Sequence, residues 1–243
     1  MKPEVSVIVG TGDRLPFLRQ VIRCWRRQTL ADTELVIADD GEEPAESVVP
    51  RHPRIRYLRV EPGTSQGMKL NRLMEAARGR IVQKIDDDDW YHPGFVESMV
   101  DAVKRAREPA FAGMGRFLVL IAATGRLKDS GPGWCAGGTI CFSREIWERN
   151  PFLDVRSKAD WWFLQAWGRE PVRVDRRELY ILVRHGAGHV WNRMGETDVT
   201  GWFARQPDHT RTLAECMPAP EDRAFYASLR ATGAAKGAPA LHR

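Results

Sequence analysis

The stretch Ile81-Val82-Gln83-Lys84-Ile85-Asp86-Asp87-Asp88-Asp89-Trp90-Tyr91-His92-Pro93 decides how this chain is read. A mostly apolar run that ends in consecutive acids predicts a strand delivering crowded carboxylates to its own C-terminal end. Carboxylates packed that closely repel and raise one another's pKa, and a divalent cation with a preference for oxygen removes the conflict. Most charge runs are solvated turns. Here Trp90 and Tyr91 adjoin the acids directly, and Pro93 is placed to open the next helix in its first turn. The residues therefore point to a metal site at a strand end.

Working outward, Val5-Ser6-Val7-Ile8-Val9 reads as a strand that stops at the turn Gly10-Thr11-Gly12-Asp13, and Leu15, Leu18, Val21, Ile22 and Trp25 then recur at helical spacing. Glu34-Leu35-Val36-Ile37-Ala38, ending in Asp39-Asp40-Gly41, reads as a second strand, and Ile55 to Val60 as a third. Leu70, Leu73, Met74 and Ala77 mark another helix, with Gly79 as its stop. This alternation predicts an α/β fold with a mainly parallel central sheet covered by helices. Ligands of such sheets lie beyond the carboxyl ends of the strands, where Asp39-Asp40 and Asp86 to Asp89 fall. After Pro93 come a helix over Phe95 to Val103, strands near 117–121, 139–142 and 179–183, and a Trp-rich helix from Asp160 to Trp167.

At 243 residues, 43% hydrophobic and with 9 Trp, the chain can bury a substantial core. Its formal charge of +5 favours anionic partners without choosing among nucleotides, nucleic acid and phospholipid. Cys24, Cys135, Cys141 and Cys216 form no C-x-x-C pair, which argues against structural zinc and a disulfide scaffold. No signal-peptide apolar region follows Met1, and the longest apolar run, Phe117 to Ala123, is too short to span a bilayer, so the expectation is a cytoplasmic protein with no transmembrane segment.

The ordered set Val5 to Val9, Gln28-Thr29-Leu30, Glu34 to Gly41, Lys69-Leu70-Asn71, Asp86 to Pro93 and Gly137-Gly138-Thr139 resembles glycosyltransferase family 2 over roughly Val5 to His189. The resemblance implies a GT-A-like, Rossmann-type sandwich and an inverting transfer of sugar from a nucleoside diphosphate sugar, by family tendency a UDP-sugar, with Mn²⁺ or Mg²⁺. It places Asp40 against the nucleotide base, Lys69 and Asn71 near the nucleotide, Asp86 on the ribose with Asp87 beside it, and Asp88 on the metal bridging the diphosphate. Asp160 matches the general base, although Ala159-Asp160 stands where the family has Glu-Asp. His185 resembles a histidine near the metal, and His189 is a weaker counterpart. Gly10-Thr11-Gly12-Asp13-Arg14 departs from the family's Pro-Thr-Tyr-Asn-Arg. The resemblance also implies one catalytic domain over 1–205, with residues 1–93 as the donor half and 94–205 as the acceptor half lined by Gly137-Gly138-Thr139. Residues 206–243 read as an extension, mobile from about 231.

Taken singly, the residues have plainer roles: Asp40 as the acid of an Asp-Gly turn, Asp160 as a helix N-cap, His185 as a polar loop residue. Trp134 and Trp191, set among glycines, are residues that could stack on a sugar. Three rival functions stand beside glycosyl transfer. Gly10-Thr11-Gly12 imitates a dinucleotide fingerprint, but Leu15 occupies its third glycine position. A metal-dependent nucleotidyltransferase would carry a fuller Gly- and Arg-rich phosphate loop. A non-catalytic module binding anionic glycan or nucleic acid would bind without metal and with strong salt dependence. Nucleic acid is not the expected partner, and the acceptor is not identified by the sequence.

Overall fold

The computed structural model describes residues 2–106, 109–133, 135–185, 203 and 205–234. Trp134, His189 and Trp191 lie outside the described residues. The elements run β1 (Val5–Thr11), α1 (Leu15–Arg26), β2 (Thr33–Asp39), β3 (Ile55–Arg59), α2 (Gln66–Ala76), β4 (Ile81–Asp86), β5 (Trp90–Tyr91), α3 (Phe95–Arg105) and β6 (Phe111–Met114). They continue through β7 (Leu118–Ile121), β8 (Arg126–Asp129), β9 (Cys141–Ser143), α4 (Arg144–Arg149), α5 (Ala159–Trp167), β10 (Val172–Val174), β11 (Tyr180–Arg184), α6 (Leu213–Cys216) and α7 (Pro220–Ala234).

A seven-stranded sheet has the order β10-β6-β9-β4-β1-β2-β3. β1 is parallel to β2 and β4, β2 to β3 and β10 to β6, while β9 runs against both its neighbours. The alternation of side chains along each strand sends two apolar sets to opposite faces. Val5, Val7, Val9, Leu35, Ile37, Ile81 and Ile85 join the cluster of α1 and α3, whereas Ile8, Val36, Ala38 and Val82 join Leu70, Leu73 and Met74 of α2 and Ala159 and Phe163 of α5. Both faces are therefore covered by helices, and β1, β2 and β4 are buried nearly throughout because no face meets water. A second sheet, β5-β11-β7-β8, packs into the first cluster through Leu118, Leu120, Tyr180 and Ile181.

Three local expectations change. α2 ends at Ala76, and Gly79 instead lies against the backbone of β1, where a Cβ would sit 2.4 Å from the Ser6 nitrogen. α3 starts at Phe95 after an N-cap at Gly94, so Pro93 precedes the helix, displaced by the short strand β5 that Trp90 and Tyr91 form with β11. α7 runs to Ala234, past the point near 231 where composition alone places a mobile tail.

α7 is tied to the body of the protein. Asp222, buried, accepts hydrogen bonds from Gln20 Nε2 (2.9 Å), Arg27 Nη1 (2.7 Å) and Trp90 Nε1 (2.9 Å), and the Tyr226 hydroxyl donates to the Asp89 carbonyl (2.7 Å). The C-terminal helix thereby holds the segment immediately after the acidic run. No described helix is long and apolar enough to cross a membrane.

Candidate active site

Register brings the acids together. Gly10 pairs with Asp86 and Thr11 with Asp39, so β1, β2 and β4 end at one edge and the residues that follow them are neighbours. Within the acidic run, each carboxylate goes to a different place. Asp86, at the end of β4, is the most exposed. Asp87 is buried against the first loop, where it accepts from Thr11 Oγ1 (2.7 Å) and pairs with Arg14. Asp88 pairs with Arg14 Nη1 at 3.1 Å and faces His185 Nε2 at 3.2 Å. Asp89 turns inward to the Tyr180 hydroxyl and the Val183 amide (2.8 Å).

Burial would strip the Arg14 guanidinium of its charge, but Asp87 and Asp88 outweigh that and hold its pKa above the ordinary value. The Asp89 carboxyl is pushed well above the usual range by burial, with Asp88 and Asp86 adding to the effect. His185 itself is stacked on Phe17, ring centroids 4.8 Å apart.

A buried lysine joins the two halves of the sheet edge. Lys84 points from the same face of β4 as Asp86; its Nζ donates to Asp86 Oδ1 (2.6 Å) and to the Gly137 carbonyl (3.1 Å), and lies 3.6 Å from Asp160 Oδ2. Burial opposes its charge, yet Asp86 and Asp160 prevail and raise its pKa. Gly137 and Gly138 fit because they carry no side chain: a Cβ at 137 would lie 1.8 Å from Asp160 Oδ2, and one at 138 would lie 2.6 Å from Asp86 Oδ2. Tyr91 closes this arrangement, its hydroxyl accepting from the Asp86 amide (2.7 Å) and donating to the Gly138 carbonyl (3.0 Å). Asp86, Asp88 and Asp160 line one cavity of about 900 Å³, with Trp161, Arg169 and Arg173 farther along its wall.

Residues 6–117 match the family described as Glycosyl transferase family 2. This match covers a little under half of the chain. Uncharacterized glycosyltransferase YwdF of Bacillus subtilis (strain 168) is 28% identical over 106 residues, which is 42% of this chain and 39% of that protein. The chain thus aligns with well under half the length of that relative. Among solved structures, S. aureus TarS 1-349 in complex with UDP-GlcNAc has a TM-score of 0.59 at 14% identity, covering 76% of this chain and 60% of that one. Mannosyltransferase PcManGT from Pyrobaculum calidifontis, in complex with GDP-Man and Mn²⁺, has a TM-score of 0.56 at 19% identity, covering 98% of this chain and 77% of that one. At these identities the likeness establishes the fold, a GT-A-type sandwich.

On this scaffold the expected site residues fall into three groups. Asp86, Asp88 and Asp160 meet at the cavity, and His185 backs Asp88. Asp40 and Lys69 form an ion pair at the neighbouring strand end, with Lys69 Nζ also donating to the Thr11 carbonyl (3.2 Å). Asn71 is engaged elsewhere: its amide donates to the Phe152 carbonyl (2.9 Å) and accepts from Trp147 Nε1 (2.8 Å) and the Phe152 amide (3.0 Å). A nucleotide contact by Asn71 would require those bonds to break. Asp160 is not the N-cap of α5; Lys158, in a left-handed conformation, holds that position and Asp160 sits in the first turn.

Thr11, Arg14 and Lys84 are the residues that reading the sequence passed over. For Lys84 a signal existed, since a lysine inside an apolar strand two residues before an aspartate shares that residue's face.

The donor set can be judged for a divalent cation. Asp88 and His185 offer a carboxylate oxygen and an imidazole nitrogen already facing one another, chemistry that suits Mn²⁺ better than Mg²⁺. Among the described residues no group of three or more His, Cys, Asp or Glu side chains is arranged to enclose a metal. Metals in nucleotide enzymes are commonly held by one or two protein groups and completed by substrate phosphates and water. The residues fit that open kind of site.

Proposed function

We propose that this chain transfers a sugar from a nucleoside diphosphate sugar, with UDP as the nucleotide, to an acceptor hydroxyl with inversion at the anomeric carbon. The observation that carries this reading is the meeting of Asp86, Asp88 and Asp160 at one cavity beyond the ends of the parallel strands of a family 2 fold. UDP is favoured by the UDP-GlcNAc bound to TarS, and the GDP-Man bound to PcManGT makes GDP the competing choice.

In this reading the nucleotide lies along the ends of β1, β2 and β4, its base against Asp40 and Lys69 and its ribose near Asp86. Asp87 orders the first loop through Thr11 and Arg14. Asp88 and His185 are the residues that would hold a divalent metal, which supplies charge neutralisation to the departing diphosphate. Asp160 takes the proton of the acceptor hydroxyl while its oxygen bonds to the anomeric carbon, and the bond from that carbon to the diphosphate breaks with its electron pair going to the phosphate oxygen. Arg14, whose charge Asp87 and Asp88 sustain, stiffens the acidic loop so that these carboxylates need not reorganise during the reaction.

The test is a thermal-shift panel of UDP-, GDP- and dTDP-sugars with and without Mn²⁺, because a ligand that binds only the native state raises its melting temperature. UDP-sugars with Mn²⁺ should give the largest shift. EDTA should abolish release of UDP from the accepted donor and added Mn²⁺ restore it. A protein that no nucleotide sugar stabilises, or a product that retains the donor's anomeric configuration, would overturn the reading.

A further inference from the structure

We infer that Lys84 is a positioning residue, an internal cation that binds the donor-side Asp86 and the base Asp160 to one another and to the Gly137 carbonyl; this rests on the glycosyl-transfer reading above. The side chain is 3% exposed, so its ammonium cannot rely on water and must be satisfied by what surrounds it. What surrounds it belongs to both halves of the site: Asp86 Oδ1 at 2.6 Å from β4 itself, the Gly137 carbonyl at 3.1 Å from the loop before β9, and Asp160 Oδ2 at 3.6 Å from α5. These contacts converge from parts of the chain far apart in sequence.

Without the lysine, the two carboxylates would face the same cavity without the buried cation they share, and like charges in a partly desolvated site push each other away. Their room for movement is set by Gly137 and Gly138, each of which abuts one of the two acids. Lys84 therefore fixes where Asp160 meets the acceptor relative to where Asp86 meets the donor. Arg14 makes the comparable contact for Asp87 and Asp88, but it reaches neither Asp86 nor Asp160 in a direct ion pair among the described residues.

Lys84→Met keeps the length of the side chain and removes its charge. It is expected to lower the melting temperature by on the order of 10 °C, the consequence of breaking a buried ion pair in a chain of this size. Adding Asp160→Asn to Lys84→Met should recover part of that loss, because it removes one of the two carboxylates that lose the lysine and ends their mutual repulsion. If the double variant is as unstable as the single one, the lysine only fills space and the proposal fails.

In the folded single variant, kcat with the accepted nucleotide sugar should fall about a hundredfold, as for a reacting group displaced by about an ångström. UDP affinity should fall less than tenfold, a split that a general loss of structure would not give. Wild-type kcat in Lys84→Met would overturn the proposal. A wild-type protein that turns over no nucleotide sugar would instead sink the transfer reading, and the stability cycle would still decide whether Lys84 couples the two acids.

Discussion

Asp160 and Asp39 show how the same side chain acquires opposite duties from its surroundings. Asp160 faces the cavity, 3.6 Å from Lys84, and its Oδ1 accepts from the Trp161 amide at 2.8 Å. Asp160→Asn preserves size but cannot accept a proton, so kcat is expected to fall about a hundredfold or more with UDP affinity nearly unchanged, measured by steady-state kinetics and calorimetry. Asp39, at the end of β2, is buried and turned into the protein. Burial works against its charge, but the Tyr57 hydroxyl (2.6 Å), the amides of Ala45 (2.8 Å) and Gly41 (2.9 Å), and Arg59 together hold its pKa below the ordinary value. A carboxylate whose folded pKa is depressed contributes stability that is complete above the unfolded pKa of about 4 and is lost as pH falls through the folded one. Asp39→Asn should therefore cost about 2 kcal/mol in urea unfolding at pH 7, where its donors lose a charged acceptor, and the difference from wild type should shrink below about pH 4. A constant difference across that range would mean the charge is irrelevant.

At the level of elements, the short loop before β9 is the point where the surroundings of Asp86 and Asp160 meet. Gly137 and Gly138 bring backbone against Asp160 and Asp86, and the carbonyl of each is held, one by Lys84 and the other by Tyr91. Gly137→Ala would force a Cβ to within 1.8 Å of Asp160 Oδ2, so the carboxylate or α5 must shift. Its expected signature is a kcat lowered about tenfold or more with UDP binding unaffected, the pattern of a misplaced base. Gly138→Ala, against Asp86, should weaken UDP binding as well. Identical effects of the two substitutions would argue that the loop is only a spacer. The strands around this loop explain which elements could be read in advance. β1, β2 and β4 each carry a run of apolar, mostly β-branched residues and are bounded by turn residues, so they stand out. β5, β6 and β10 are short and owe their pairing to partners distant in sequence, which no local pattern announces.

For the molecule as a whole, α7 makes the C-terminal region part of the structure that supports the acids. Asp222 sits where α1, the Trp90 indole and α7 meet, and Tyr226 holds the Asp89 carbonyl. Asp222→Ala would leave the Trp90 indole without its acceptor and Arg27 with only the exposed Glu221, and is expected to destabilise the protein by about 3 kcal/mol or more in urea unfolding. A change under 1 kcal/mol, on the order of an exposed pair, would show the helix to be loosely attached. The amino-acid sequence by itself determined the alternation of β and α, the apolar faces of β1, β2 and β4, and the delivery of acids to a strand end, because periodicity and turn chemistry are local. The order of the motifs was also enough to raise the family resemblance, since that order is a property of the chain. Only the tertiary structure decided the fate of each acid: Asp87 to Arg14, Asp88 to His185, Asp89 to Tyr180, and Asp86 to a lysine shared with Asp160. Partners of a buried charge come from wherever folding brings an opposite charge or a hydrogen-bond donor within reach, and that distance is not written in the spacing of residues along one strand.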